Sequence, residues 1–179
     1  MTFVEKRNAL IAAMSAALGH PVILDSQVQP EAEPPFVVYS VTTDYIPDGS
    51  LGHYSREAGK GEDDVVVVRA EQPTATFSFT ACSINRTVDK DGSQVYILGA
   101  DEALELATLA QGFFLHTGRQ QIARAGFVVV EVSGASNRDA LELDEMGRRF
   151  GFDVRLRYTR EDRVSVGAIG NVTAKQSKE

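Results

Sequence analysis

Apolar and polar residues alternate most regularly in the C-terminal third of the chain. The even positions there are apolar, and the odd positions are charged or small; the apolar set is Phe150, Phe152, Val154, Leu156 and Tyr158. Successive side chains of a β-strand point to opposite faces, so this pattern predicts a strand over residues 150–158 that buries its even-numbered face. A second alternating stretch, residues 74–85, predicts another strand with Phe77 and Phe79 on its buried face.

The N-terminal residues follow a helical period instead. Apolar side chains recur at the spacing of one helix face, at Phe3, Leu10, Ile11, Met14 and Leu18. A secretory signal is the alternative interpretation, because Lys6 and Arg7 precede an apolar stretch. Glu5 lies among the basic residues and Ser15 interrupts the stretch. We therefore expect an amphipathic helix that packs on a core.

A second helical region occupies the middle of the chain. Asp101 is a suitable N-cap for a helix that runs to about His116, and Gly118 is suited to end it. A short helical piece around Ile122 follows, and then a strand over residues 127–132.

The remaining elements are shorter. We predict strands over residues 22–24, 36–42, 65–68 and 164–172, the last pairing with 150–158 through a turn at 160–162. Residues 133–146 look irregular and 173–179 look frayed. Residues 47–64 are rich in glycine and charge, which predicts a long, mobile, projecting loop. The expected fold is one α+β domain over 1–179, with a mainly antiparallel sheet and helices on one face.

Composition narrows the function classes. The chain has 179 residues, of which 43% are hydrophobic and 24% charged, as in a globular domain. The formal net charge of -7 opposes tight binding to nucleic acid or to an anionic membrane. Cys82 is the single cysteine, which excludes an intramolecular disulfide and fits a reducing compartment.

Catalytic and metal-binding patterns are missing from the sequence. His20, His53 and His116 are far apart and none has the ligand spacing of a zinc site. Cys82 lies within a predicted strand, where a packed thiol is the common case. Gly59-Lys60-Gly61 lacks the remaining residues of a phosphate-binding loop, and no Gly-x-Ser-x-Gly sequence occurs. We therefore expect no enzymatic activity, no cofactor and no bound metal.

Two charged groups are candidates for contacts with partners. The first is a set of arginines in the C-terminal third, Arg148, Arg149, Arg155 and Arg157, with Arg160 and Arg163 beyond them. A solvated strand face and a subunit interface explain these arginines equally well. The second is the acidic group Glu62, Asp63 and Asp64. Solvated loop charge is the simpler explanation of this group, and contact with a partner or with a channel lumen is the other.

Several stretches of the chain together resemble a known family. They begin with the N-terminal helix, Pro21-Val22-Ile23 and residues 27–35, which lead into Pro35-Phe36-Val37-Val38-Tyr39. A helix that ends near His116 and Arg119 and the run Ala125-Gly126-Phe127-Val128-Val129 follow. The closing stretch is 137–158, in which Leu143-Asp144 and Arg148-Arg149 lead into Phe152-Asp153-Val154. In this pattern the chain resembles the phage tail-terminator or neck-terminator proteins; residues 47–64 match no family pattern.

The resemblance implies a structural virion protein made in the host cytoplasm. It implies a homohexameric ring, stacked between the tail tube protein and the head-side connector or stopper protein, that ends tube polymerisation. DNA would pass through the lumen without specific binding, and acidic side chains there would repel it. Another small head-closure or minor tail protein is the nearest alternative, and a small intracellular enzyme or ligand-binding domain is the alternative from another class.

Overall fold

The computed structural model describes residues 1–25, 32–61, 64–141 and 146–167. Three helices are present in this part of the chain: α1, Phe3–Leu18; α2, Gly99–Gly112; and α3, Arg119–Arg124. A π-helical segment, Phe113–Thr117, joins α2 to α3. The predicted frayed tail, 173–179, lies outside the described residues.

Local capping sets the ends of α1. Thr2 and Glu5 form a reciprocal capping box, in which each backbone N–H donates to the other side chain, at 2.7 and 3.2 Å. Gly19 ends the helix in the left-handed region at φ 68°, where a side chain would be strained. Leu10 and Met14 are completely buried. The predicted N-terminal helix that packs on the core is therefore confirmed.

The start of α2 differs from the prediction, because Asp101 is not the N-cap. The helix begins at Gly99, whose N–H donates to Oδ1 of Asn85 at 2.9 Å. A Cβ at position 99 would lie 2.5 Å from the backbone of Ile84, so only glycine allows this close approach. Tertiary packing thus moves the start of the helix before Asp101, which lies in the first turn.

Seven strands of the described residues form the main sheet. They are β1, Val22–Leu24; β2, Phe36–Ile46; β5, Thr74–Ser83; β8, Phe127–Val132; β9, Ser136–Asn137; β10, Ala140–Leu141; and β11, Met146–Tyr158. The order is β1-β2-β5-β11, and β8, β9 and β10 pair with the far edge of β11. Only β1 and β2 are parallel among these pairs. The expected α+β fold with a mainly antiparallel sheet is confirmed.

The core lies between this sheet and the helices. The odd-numbered residues of β5 and the even-numbered residues of β11 face the helices; Phe77, Phe79, Phe152, Val154 and Leu156 are at most 1% exposed. Phe79 and Phe152 stack across the two strands with ring centroids 5.7 Å apart. The predicted buried faces of both strands are therefore confirmed.

A second sheet corrects two predictions. It consists of β3, His53–Ala58; β4, Asp64–Glu71; and β12, Arg160–Gly167, in the order β12-β4-β3. Residues 47–64 therefore do not form a long loop without structure, since β3 pairs with β4 along its whole length. The strand β12 does not pair with β11 either; it pairs with β4 from Arg160 to Gly167. We call this three-stranded sheet the arm.

The arm combines strands from two distant parts of the chain, because β3 and β4 are consecutive and β12 follows β11. Only Thr159 separates β11 from β12, and no residues are left for a turn back onto β11. All of β3 and nearly all of β12 are exposed. The predicted turn at 160–162 is therefore wrong, because these residues are the start of a strand.

A hairpin and two short strands were not predicted. The strands β6, Arg86–Lys90, and β7, Ser93–Ile97, are joined by Asp91 and Gly92, both with positive φ. Asp-Gly is the preferred sequence for such a two-residue turn, so the signal was present in the sequence. The strands β9 and β10 lie in the segment predicted as irregular, and their two-residue lengths leave no period to detect.

Candidate assembly surfaces

The helices cover one face of the main sheet, and no helix of the described residues covers the other face, which we call the open face. Polar side chains of β5 lie on this open face: Thr74, Thr76, Ser78, Thr80 and Cys82. Cys82 is half-buried there, as expected for a packed thiol. Charged residues of β11 at odd positions continue the same surface.

Arg138 organises the centre of the open face. Its Nη1 donates to Oγ of Ser78 at 2.6 Å and to Oγ1 of Thr80 at 3.2 Å, and its Nη2 donates to Oδ1 of Asp153 at 3.0 Å. Gly151 makes this possible, since a Cβ there would lie 2.6 Å from the arginine. Burial raises the pKa of Asp153, but hydrogen bonds from Ser78 and Arg138 outweigh it and leave the pKa lowered.

Sequence reasoning did not single out Arg138. The residue lies in a segment without periodicity, between β9 and β10. Its partners come from two strands that are remote in sequence, up to 60 residues away. No local signal exists for a contact of this kind.

Strand alternation divides the four predicted arginines between two faces. Arg149, Arg155 and Arg157 lie at odd positions of β11, on the open face. Arg148 lies on the helix side, where its Nη1 is 3.2 Å from Oδ2 of Asp139. The structure therefore does not bring all four together.

Asp139 ties down the strand end that carries Arg148 and Arg149. Its Oδ1 accepts a hydrogen bond of 2.6 Å from the backbone N–H of Arg149, and this contact is the main reason why its pKa is lowered. The ion pair with Arg148 lowers the pKa further. Arg148 thus has an ion-pair partner within the subunit.

Arg155 and Arg157 are exposed. Arg155 has an ion pair of 3.5 Å with Glu131, in which both side chains are about half exposed or more. Arg157 makes no ion pair with any residue that the structure describes. Exposed ion pairs contribute little to folding stability, so we do not expect the fold to depend on either arginine.

The structure describes one of the three residues of the acidic group. Glu62 and Asp63 lie outside the described residues. Asp64 begins β4, and its Oδ2 accepts a hydrogen bond of 3.2 Å from the N–H of Gly61. Its carbonyl oxygen also accepts a hydrogen bond of 2.7 Å from the N–H of Gly59. Asp64 thus closes the turn between β3 and β4.

The base of the arm is held by a buried carboxylate. Oε2 of Glu71 accepts hydrogen bonds from Nη2 of Arg69 at 2.7 Å and from the hydroxyl of Tyr45 at 3.0 Å. Nε of Arg160 lies 3.8 Å from Oε1 of the same carboxylate. These contacts join β4 and β12 of the arm to β2 of the main sheet.

The candidate ligands for a metal do not converge. His20 follows α1, His53 begins β3 and His116 lies in the π-helical segment. Within the described ranges, no three His, Cys, Asp or Glu side chains are grouped so that they could hold an ion. No helix in the same ranges is long and apolar enough to cross a membrane.

Comparison with known families gives one clear result. The model of the family described as phage neck terminator protein matches residues 8–179, which is nearly the whole chain. A comparison with individually curated proteins gives no match.

Proposed function

We propose that this chain, which belongs to the phage neck terminator family, forms a ring at the head-proximal end of a phage tail. The family places it among the structural proteins of the virion neck, which assemble with other head and tail proteins. In the proposed role the ring ends polymerisation of the tail tube and joins the tail to the head-side connector. The observation that carries this proposal is the family match over 8–179.

The distribution of exposed surface supports a ring. One face of the main sheet is covered by helices and the other has no helix over it among the described residues, so the two sides of the subunit differ. A contact between different sides of identical subunits is a head-to-tail contact, and such contacts close into rings when the rotation allows. Arg149, Arg155 and Arg157 are our candidates for residues of this contact.

The arm supports contact with a neighbour as well. Val164 and Val166 on β12 are 61% and 41% exposed, and they share one face of the arm with Val65 and Val67. No helix covers this face in the described part of the chain. We propose that the arm packs against the adjacent subunit or the adjoining ring.

The negative charge of the chain supports passage of DNA without specific binding. A net charge of -7 is multiplied in a ring, and acidic side chains that face a lumen would repel the phosphates of passing DNA. In the proposed role DNA therefore crosses the ring without specific binding.

Native mass spectrometry and electron microscopy of the purified protein test the ring. We expect a single closed species of six subunits with a central opening. Immunogold labelling of virions should place the protein at the neck. Phage that lack the protein should produce tails of uncontrolled length that do not join heads. Normal virions in its absence would contradict the proposed function.

A further inference from the structure

Helix α2 presents an unusual outer surface. Its inner side, which includes Leu106, Ala107 and Ala110, is buried against the main sheet. On the outer side, Leu104 and Leu109 are 43% and 60% exposed. The exposed carboxylates of the same surface are Asp101 and Glu105, and neither makes an ion pair with a described residue. We call Asp101, Leu104, Glu105, Thr108 and Leu109 the α2 ridge.

The opposite side of the subunit carries a matching strip. Val128 and Val130 on β8 are 53% and 50% exposed. Val128 is paired with Arg157 in the register, so the two side chains lie on the same face. An irregularity in the pairing between Arg155 and Leu156 leaves Val130 without a partner in the register, and its side chain is exposed like that of Val128. We call Val128, Val130, Arg155 and Arg157 the β8–β11 strip.

The two surfaces are complementary in charge and in apolar character. The ridge combines two leucines with two carboxylates, and the strip combines two valines with two guanidinium groups, beside which lies the carboxylate of Glu131, paired with Arg155. The ion pair between Arg155 and Glu131 does not prevent contact, because a half-exposed pair at 3.5 Å exchanges at little cost. Arginine forms bidentate pairs with carboxylates, which suits Asp101 and Glu105 as partners.

We propose that the α2 ridge of one copy docks on the β8–β11 strip of a second copy. The inference rests on the ring of the proposed function and names its contact surfaces. The ridge and the strip lie on opposite sides of the main sheet, since the buried side of α2 contacts the face of β11 that is opposite to Arg155 and Arg157. The contact is therefore head to tail, and it repeats from each copy to the next.

Charge-reversal variants of the full chain test this contact. Glu105→Arg and Arg157→Glu should each raise the apparent dissociation constant of the ring by about tenfold or more, because each replaces an attraction with a repulsion. Light scattering with size-exclusion chromatography measures the change. Both residues are exposed, so the thermal unfolding of the monomer should not change. Lys90→Glu, at the end of β6, is the matched control and should assemble normally.

Mixing the two variants gives a sharper test. A copy with Glu105→Arg has an intact strip, and a copy with Arg157→Glu has an intact ridge. When the two kinds alternate around an even-numbered ring, every contact pairs opposite charges. The equimolar mixture should therefore assemble under conditions in which each variant alone does not.

The possible outcomes distinguish a failure of the proposed contact from a failure of the proposed ring. A ring that forms in the wild type and in both single variants would overturn the contact and leave the ring standing. A wild-type chain that stays monomeric at all concentrations would overturn both. If Arg157→Glu abolished binding of a DNA duplex in a gel shift and left the ring intact, the strip would be a DNA surface, and the contact would be wrong.

Discussion

Arg69 donates a hydrogen bond of 2.7 Å to Glu71, whose side chain is only 1% exposed although it is a carboxylate. Both residues belong to β4, but Arg69 also lies 3.1 Å from Asp162 on β12. The hydrogen bond to Glu71 is the main cause of the raised pKa of Arg69. The base of the arm is thus fixed by charges that the apolar pattern does not reveal.

Removing this carboxylate should destabilise the fold. Glu71→Ala removes one acceptor of Arg69 and the acceptor of the Tyr45 hydroxyl, and we expect a loss of about 1–3 kcal/mol in the free energy of unfolding. Urea denaturation followed by circular dichroism measures it. Glu161→Ala is the control, because its pair with Arg163 is about half exposed and should contribute less than about 1 kcal/mol. Equal effects of the two variants would contradict the structural role of Glu71.

Phe152 should be among the most sensitive core positions. It is 1% exposed and stacks on Phe79, so Phe152→Ala creates a cavity and should cost about 3–5 kcal/mol. Thermal unfolding checks this value. Leu51→Ala removes a side chain that is 84% exposed and should leave the unfolding temperature nearly unchanged. Unchanged unfolding of Phe152→Ala would show that the buried face of β11 is wrongly assigned.

Protonation of Glu102 in acid should lower the free energy of unfolding. Its pKa is lowered chiefly by hydrogen bonds from Arg86, at 2.7 and 2.9 Å, and further by the Ser83 hydroxyl. A carboxylate whose pKa is lower in the folded state stabilises the fold above its unfolded pKa of about 4.3. This contribution is lost as the pH falls through the folded pKa.

Glu102→Gln tests the contribution of this carboxylate. The variant should be less stable than the wild type at neutral pH, and the difference should shrink as the pH falls below about 4. Urea denaturation at several pH values measures it. Glu33→Gln, at an exposed position outside the two proposed contact surfaces, should follow the wild-type pH dependence. A constant difference between Glu102→Gln and the wild type at all pH values would contradict the assignment.

The valine face of the arm should be needed for assembly and not for folding. Val164→Asp places a charge on a side chain that is 61% exposed, so the free subunit should unfold at nearly the same temperature. If this face contacts an adjacent subunit or an adjoining ring, the contact would bury the new charge and would therefore be weakened. Ser165→Asp, on the other face of β12, is the matched control. Complementation of a phage that lacks the protein measures how many phage heads are joined to tails. Equal joining by both variants would contradict the proposal.

The alternating and helical periods of the sequence were sufficient for much of the fold. They predicted α1, β5, β8 and β11 and the buried faces of β5 and β11, because burial of one face imposes its period on the sequence. The same alternation placed Arg155 and Arg157 opposite to the buried residues. The α+β class followed from these elements and from the short connections between them.

The tertiary structure alone decided which strands pair and how polar groups meet. The residues of β12 do not indicate whether this strand pairs with β11 or with β4. Because only Thr159 connects β11 to β12, β12 cannot turn back onto β11, and it pairs with β4. The contacts of Arg138 and of Glu71 depend on residues brought together by that pairing. Hydrogen bonds between side chains that are remote in sequence leave no period in the chain, so only the folded structure shows them.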